Sequence, residues 1–194
     1  MTQTHPAGEG RGHPLTPPPD PPADPEPLAD AFRAAMRAWA SSVAVVAVEC
    51  GDQTHGATAT AVVSLSAHPP TVLVSLRTEG RTRALVACAG ALSVSVLGAD
   101  DAALADRFAG RPLADGAPAA DRFRGVAHHP GATGAPVLDA AVASVEGTVR
   151  DVWTHADHTV FVVGVAAARV LRPDADPLVY HDRRYRRLAP DPRL

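Results

Sequence analysis

His55-Gly56-Ala57-Thr58-Ala59-Thr60-Ala61-Val62-Val63-Ser64-Leu65-Ser66-Ala67-His68-Pro69-Pro70 joins a hydroxyl-rich, half-buried strand to a Pro-Pro corner. β-Branched residues at positions 58, 60, 62 and 63 favour strand, and Pro69-Pro70 removes two backbone donors and ends the pairing. Thr58, Thr60, Ser64 and Ser66 either face a polar ligand from a rigid edge or, in the plainer alternative, satisfy water and neighbouring backbone.

The next segments bear on that choice. Val72 to Leu76 is a short apolar strand, followed by Arg77-Thr78-Glu79-Gly80-Arg81-Thr82 and a predicted helical turn from Thr82 to Ala89. Hydroxyls, guanidinium groups and a helix N-terminus within a few residues suit phosphate, because unpaired first-turn N–H groups favour an anion and Arg binds it bidentately. Thr82 as an ordinary N-cap is the competing reading.

Composition sets the class. A chain of 194 residues, 46% hydrophobic, suits one domain with a sizeable core. The net charge of -3 gives no global basic field for nucleic acid. Every basic side chain other than His is Arg, which reads as coding bias rather than chemistry. Cys50 and Cys88 have no metal-like spacing, so free, buried thiols in a reducing compartment are expected. With no signal-like start and no apolar run of the ~18 residues a membrane span requires, a soluble cytoplasmic protein is expected.

Nine prolines among residues 1–27 predict a disordered or polyproline-like tail, leaving 28–190 as the folded domain. Leu28, Phe32, Met36 and Trp39 recur at helical spacing and are expected to face a core. Beyond Ser42 the chain reads as mainly β with short helices. Strands are expected near 43–49, 55–64, 71–76, 91–97, 137–151, 158–171 and 184–188, with helices at 82–89 and 100–109, the latter capped by Asp100 or Asp101. Glu146, Gly147 and Gly164 interrupt the two long strands, as a curved sheet requires. Periodicity leaves barrel and sandwich equally open.

Several segments, taken in order, resemble a known family. They are Phe32 through Val46, Gly56 through Pro70, Thr82 through Leu97, Arg107-Phe108, Gly134-Ala135-Pro136-Val137-Leu138-Asp139 to Glu146, Asp157-His158-Thr159-Val160-Phe161, and Tyr180-His181 with Tyr185. From about Phe32 to Leu188 the chain resembles the flavin reductase-like, FMN-binding split-barrel family, the short-chain NAD(P)H:flavin oxidoreductases of two-component monooxygenase systems. The resemblance implies a Greek-key split β-barrel, a homodimer, and hydride transfer from NADH or NADPH to FMN or FAD, with a monooxygenase component as the possible recipient of reduced flavin. It also implies site residues. The segment Thr58 to Ser66, through Thr58, Ala59, Thr60, Ser64 and Ser66, runs along the isoalloxazine ring and ribityl chain. Ser75, Arg77 and Thr82 lie around the phosphate, with Ser95 nearby. His158, the expected catalytic residue, and Tyr185 lie on the nicotinamide side, with Asp157 orienting the imidazole.

The chain departs from the family pattern at several places. Ala156 stands where Gly usually precedes Asp-His, Ser95 where Asn is common, Gly80 where a hydroxyl is frequent, and Val62-Val63 where an aromatic is usual. FMN and FAD therefore both stay open. Two alternatives accompany the reductase reading: a flavoprotein that retains its flavin and acts on another small substrate, and a non-catalytic flavin-binding or delivery protein. His155-x-x-His158 lacks a convincing third ligand, so no metal is expected. Arg183-Arg184-Tyr185-Arg186-Arg187 suits a solvated face better than a nucleic-acid patch.

Overall fold

The computed structural model describes residues 25–111 and 121–189, so the Pro-rich stretch expected to be a tail lies outside the described residues except at its end, where helix has already begun. In chain order the elements are α1 (Pro25–Ala38), β1 (Ser41–Ser42), β2 (Ala44–Cys50), β3 (Gln53–Ala59), β4 (Val62–Ala67), β5 (Pro70–Arg77), α2 (Arg81–Ala89), β6 (Ala91–Val96) and α3 (Ala102–Phe108). After these come β7 (His128–Pro130), β8 (Pro136–Leu138), β9 (Ala143–His155), β10 (His158–Val170), β11 (Val179–His181) and β12 (Arg184–Arg186). Two compact units divide at Met36–Arg37. In the first, Leu28, Phe32 and Met36 are exposed rather than core-facing as expected; Trp39, in the second, is exposed as well.

Seven strands of the second unit form one antiparallel sheet in the order β3-β2-β6-β9-β10-β5-β4. The expected single strand 55–64 is two strands, because pairing breaks at Thr60-Ala61. This break decides the architecture. β3 and β4 are the two edges of the sheet and yet consecutive in the chain, so the sheet must curl until its edges approach, a barrel left open in its hydrogen bonding at the split. Ser75 N–H donates to Ala61 O (3.0 Å) and holds the connection. β1, β11 and β12 form a small separate sheet, and β7 pairs with β8.

β2 shows why its sequence lacks alternation. Ala44, Val46 and Val48 enter one core with Val74, Leu92 and Phe161, while Val43, Val45 and Ala47 enter another with Leu97, Phe108 and Leu138. Buried on both faces, such a strand reads as a continuous apolar run.

The long β9–β10 hairpin bends where expected. Register shifts lie between Val162 and Val163 and between Val165 and Ala167, on either side of Gly164. A Cβ on Gly147 would stand 2.3 Å from Gly164 O, so only glycine permits this approach.

The thiols differ from expectation. Cys50, at the end of β2, and Cys88, exposed on α2, form a disulfide with Cα atoms 6.3 Å apart. The sequence could not reveal the pairing because the two residues are 38 positions apart.

Candidate active site

At the split, β3, the β5–α2 corner and the end of α3 enclose a cavity of about 400 Å3, within the range of small-molecule sites. One wall is the Ala57–Ala61 backbone, where three alanines leave room for a flat ring against the chain. Phe108 closes it from α3. Its ring is fully buried, and a Cβ on Gly56 would stand 2.9 Å from it, so glycine permits the close packing.

The lining is also cationic. Arg77, Arg81, Arg83 and Arg122 line the cavity, and no carboxylate does so among the described residues. Arg83 Nε is buried without a hydrogen-bond partner among the described residues. α2 starts after Gly80, which supplies no side-chain cap, so its first-turn N–H groups are left for a ligand. Thr82 is therefore not the cap. It is the second residue of the helix, 4% exposed, with Oγ1 2.9 Å from His55 Nδ1.

His55 and Arg122 were not singled out by sequence reasoning. His55 is 6% exposed; burial, then the Arg122 and Arg81 charges, lower its pKa from 6.5 to about 4, so the ring is neutral at physiological pH. Arg122 donates to Gly56 O (2.9 Å) and Phe108 O (2.6 Å), tying the segment after α3 to β3, and burial lowers its pKa. The His-Gly dipeptide ahead of the Thr-rich strand was the available signal for His55. Arg122, 66 residues from its acceptor on Gly56, had none.

Of the expected residues, Thr58, Ala59, Thr60, Ser75, Arg77, Thr82 and His158 line this cavity. Thr58 already donates its hydroxyl to Ala105 O (2.6 Å). Ser64, Ser66, Ser95, Asp157 and Tyr185 do not line it. Ser64 is exposed on β4, and Ser66 Oγ accepts from His68 N–H (3.1 Å). Ser95 is fully buried and accepts from Leu138 N–H (3.1 Å). Tyr185 lies against Tyr180 with ring centroids 5.6 Å apart, and burial, followed by the neighbouring Asp106, raises its phenol to about 12. Asp157 borders a neighbouring groove with Arg77, Thr78 and Gly80. Its carboxylate is 2.8 Å from His158 Nδ1, and this bond is the first cause of its lowered pKa.

The β9–β10 turn holds His158 beside the cavity. Ala156 has φ +49°, a conformation glycine adopts more readily, and Thr78 N–H donates to Asp157 O (2.9 Å). His158 thereby sits opposite Arg77 across β10 and β5.

A flat, small-residue wall ending in a cluster of arginines and free amides matches a planar ring system that carries phosphate. The model of the flavin reductase like domain matches residues 36–189. The chain belongs to this family. It is 36% identical over 156 residues to an NADH-dependent FMN reductase of Streptomyces nodosus subsp. asukaensis, covering 80% of this chain and 83% of that one. It is 33% identical to the reductase component of a 4-hydroxyphenylacetate 3-monooxygenase of Thermus thermophilus, covering 83% and 97%. Among solved structures, an NADH:FAD oxidoreductase of Streptomyces globisporus C-1027, in complex with NAD and FAD fragments, superposes with a TM-score of 0.76 at 29% identity, covering 87% of this chain and 97% of that one. The family member described here thus has the split-barrel fold of flavin reductases. No helix among its described residues is long and apolar enough to cross a membrane.

Proposed function

We propose that this family member is an NAD(P)H-dependent flavin reductase that takes FMN or FAD in the cavity at the split and passes reduced flavin to a monooxygenase component. The observation that carries the reading is the charge contrast: in a chain of net charge -3, one cavity gathers four arginines and no lining carboxylate among the described residues. When bound, nicotinamide and flavin supply the hydride chemistry themselves, so the protein has to bind, orient and exclude water.

Each side chain then has a task. Arg77, Arg81 and the amides of α2 bind phosphate, with Ser75 beside them. Ala57, Ala59 and Ala61 let the ring system approach the backbone, and Thr60 offers a hydroxyl at its edge. His158, oriented by Asp157, presents Nε2 toward the nicotinamide carboxamide; no proton transfer is asked of it. Phe108 excludes water from the inner wall. Such positioning accelerates a direct transfer by holding the reacting atoms at ~3–3.5 Å.

We also propose a homodimer. β4 is a sheet edge carrying Val63 and Leu65, both more than half exposed, and Trp153 adds a large exposed side chain on β9. An apolar edge of this kind is normally covered. We place the protein in the cytoplasm, where reduced nicotinamide cofactors are produced.

The deciding experiment mixes purified protein anaerobically with FMN or FAD and adds NADH or NADPH. Protein-dependent bleaching of the visible flavin band is expected; flavin binding without bleaching for either nucleotide refutes the reductase reading. His158→Ala is expected to raise the apparent KM for the nicotinamide more than that for flavin, and unchanged kinetics remove His158 from the site. Light scattering on the eluted protein tests the dimer, with a monomer mass as the contrary result.

A further inference from the structure

His55 is buried at the end of the cavity where the arginines converge, and of its two ring nitrogens only Nδ1 has a hydrogen-bond partner among the described residues, Thr82 Oγ1. Two proton arrangements satisfy that bond. If Thr82 donates to Nδ1, Nε2 carries the hydrogen and offers it elsewhere; if Nδ1–H donates to Thr82, the hydroxyl hydrogen is free. The second arrangement, which we adopt, places the free donor on Thr82 itself, in the uncapped first turn of α2. This donor opens onto the cavity with no protein acceptor among the described residues, and an anionic oxygen is the acceptor these surroundings favour. Among the described residues, the charges that act on the ring are Arg122, from the segment after α3, and Arg81, from α2. Both oppose a further positive charge on the imidazole, so it donates as a neutral group.

We propose that His55 is a positioning residue that fixes the Thr82 hydroxyl toward the flavin phosphate and thereby sets the preference for phosphorylated flavin over riboflavin. The proposal rests on the flavin-binding reading of this cavity. It assigns the pair a selective role, because a site that donates to a ligand oxygen disfavours the analogue lacking that oxygen, whose binding leaves the donor unpaired.

The test is equilibrium titration of FMN and of riboflavin by flavin fluorescence, without nicotinamide, on wild type and on His55→Ala, His55→Asn, His55→Gln and Thr82→Val. An Asn amide reaches the position of Nδ1 and can hold Thr82, whereas Gln reaches that of Nε2. His55→Ala is expected to raise the FMN dissociation constant roughly tenfold while riboflavin shifts less than about threefold, a tenfold change corresponding to about 1.4 kcal/mol. His55→Asn is expected to restore most of the FMN affinity and His55→Gln to restore little. Thr82→Val is expected to reproduce the selective loss, and adding His55→Ala to it to change nothing more. Thr82→Val also decides the matter if His55→Ala does not fold: an unchanged FMN-to-riboflavin ratio there overturns the proposal. Equal losses for both ligands in folded His55→Ala, or no rescue by Asn, overturn it too. If wild type distinguishes FMN from riboflavin and His55→Ala keeps the same ratio, the His55 role fails and the flavin reading stands. If wild type binds neither ligand, both fall.

Discussion

Two groups of buried polar residues invite comparison. Ser93, Ser95, Ser144 and Glu146 lie opposite one another on β6 and β9, and the β7–β8 segment supplies partners for Ser93, Ser95 and Glu146. Ser93 donates to Pro136 O, Ser95 accepts from Leu138 N–H, and Glu146 accepts from Thr133 N–H (3.2 Å), although Thr133 Oγ1 is left without a partner. At the cavity, among the described residues, the α2 first turn has no side-chain cap, Arg83 Nε has no partner, and His55 uses one nitrogen. Both groups are buried and hydroxyl-rich. What separates a structural polar cluster from a binding one is whether the chain supplies its own acceptors and donors.

The sharpest test removes charge from the open group. Arg77→Ala with Arg81→Ala is expected to raise the FMN dissociation constant about a hundredfold, since hydrogen bonds to charged groups contribute about 1.5–3 kcal/mol each. Riboflavin affinity should barely change, and parallel losses in the two titrations would erase the distinction between the clusters. Gly131→Ala strikes the closed group instead, because its methyl would stand 1.9 Å from Glu146 Oε2. Overpacking of this kind costs about 1–3 kcal/mol, to be read from urea unfolding, with FMN affinity retained.

A third prediction uses pH. His55 titrates near 6.5 when unfolded and about 4 when folded, so between those values the unfolded chain binds a proton that the folded chain does not. Its contribution to stability is therefore complete above pH 6.5 and is lost as pH falls toward 4. His55→Asn should flatten the fall in unfolding free energy, from urea titrations, between neutral pH and pH ~5 by about 1 kcal/mol, the scale set by a shift of one pKa unit. An unchanged slope would show that the ring is not held neutral by the fold. The smallest effect is expected at the hairpin that carries His158. Ala156→Gly should gain up to about 1 kcal/mol in thermal unfolding by relieving the left-handed backbone, and a loss would mean that the turn has another conformation in solution.

The sequence was informative wherever local chemistry sufficed. Pro69-Pro70 marked the corner before β5, Arg77 through Thr82 marked a helix start that lines the cavity, and Gly147 with Gly164 marked the bend of the long hairpin. It failed where one residue type served two purposes. Ser95 and Ser75 look alike in the chain, yet Ser95 bonds the β8 backbone and Ser75 lines the cavity. Tyr185, expected near nicotinamide, does not line the cavity and has its ring against Tyr180. The strand expected across 55–64 concealed the Thr60-Ala61 break, because β-branched residues continue on both sides of it.

By itself the sequence determined a mainly β chain with short helices, a hydroxyl-rich strand before a proline corner, and a helix start suited to phosphate, since propensity and capping act over a few neighbours. Only the tertiary structure decided which polar groups remain open to a ligand. His55, Thr82, Arg83 and Arg122 come from three separated stretches, and their burial, partners and shared field exist only once the sheet has curled and brought its edges together.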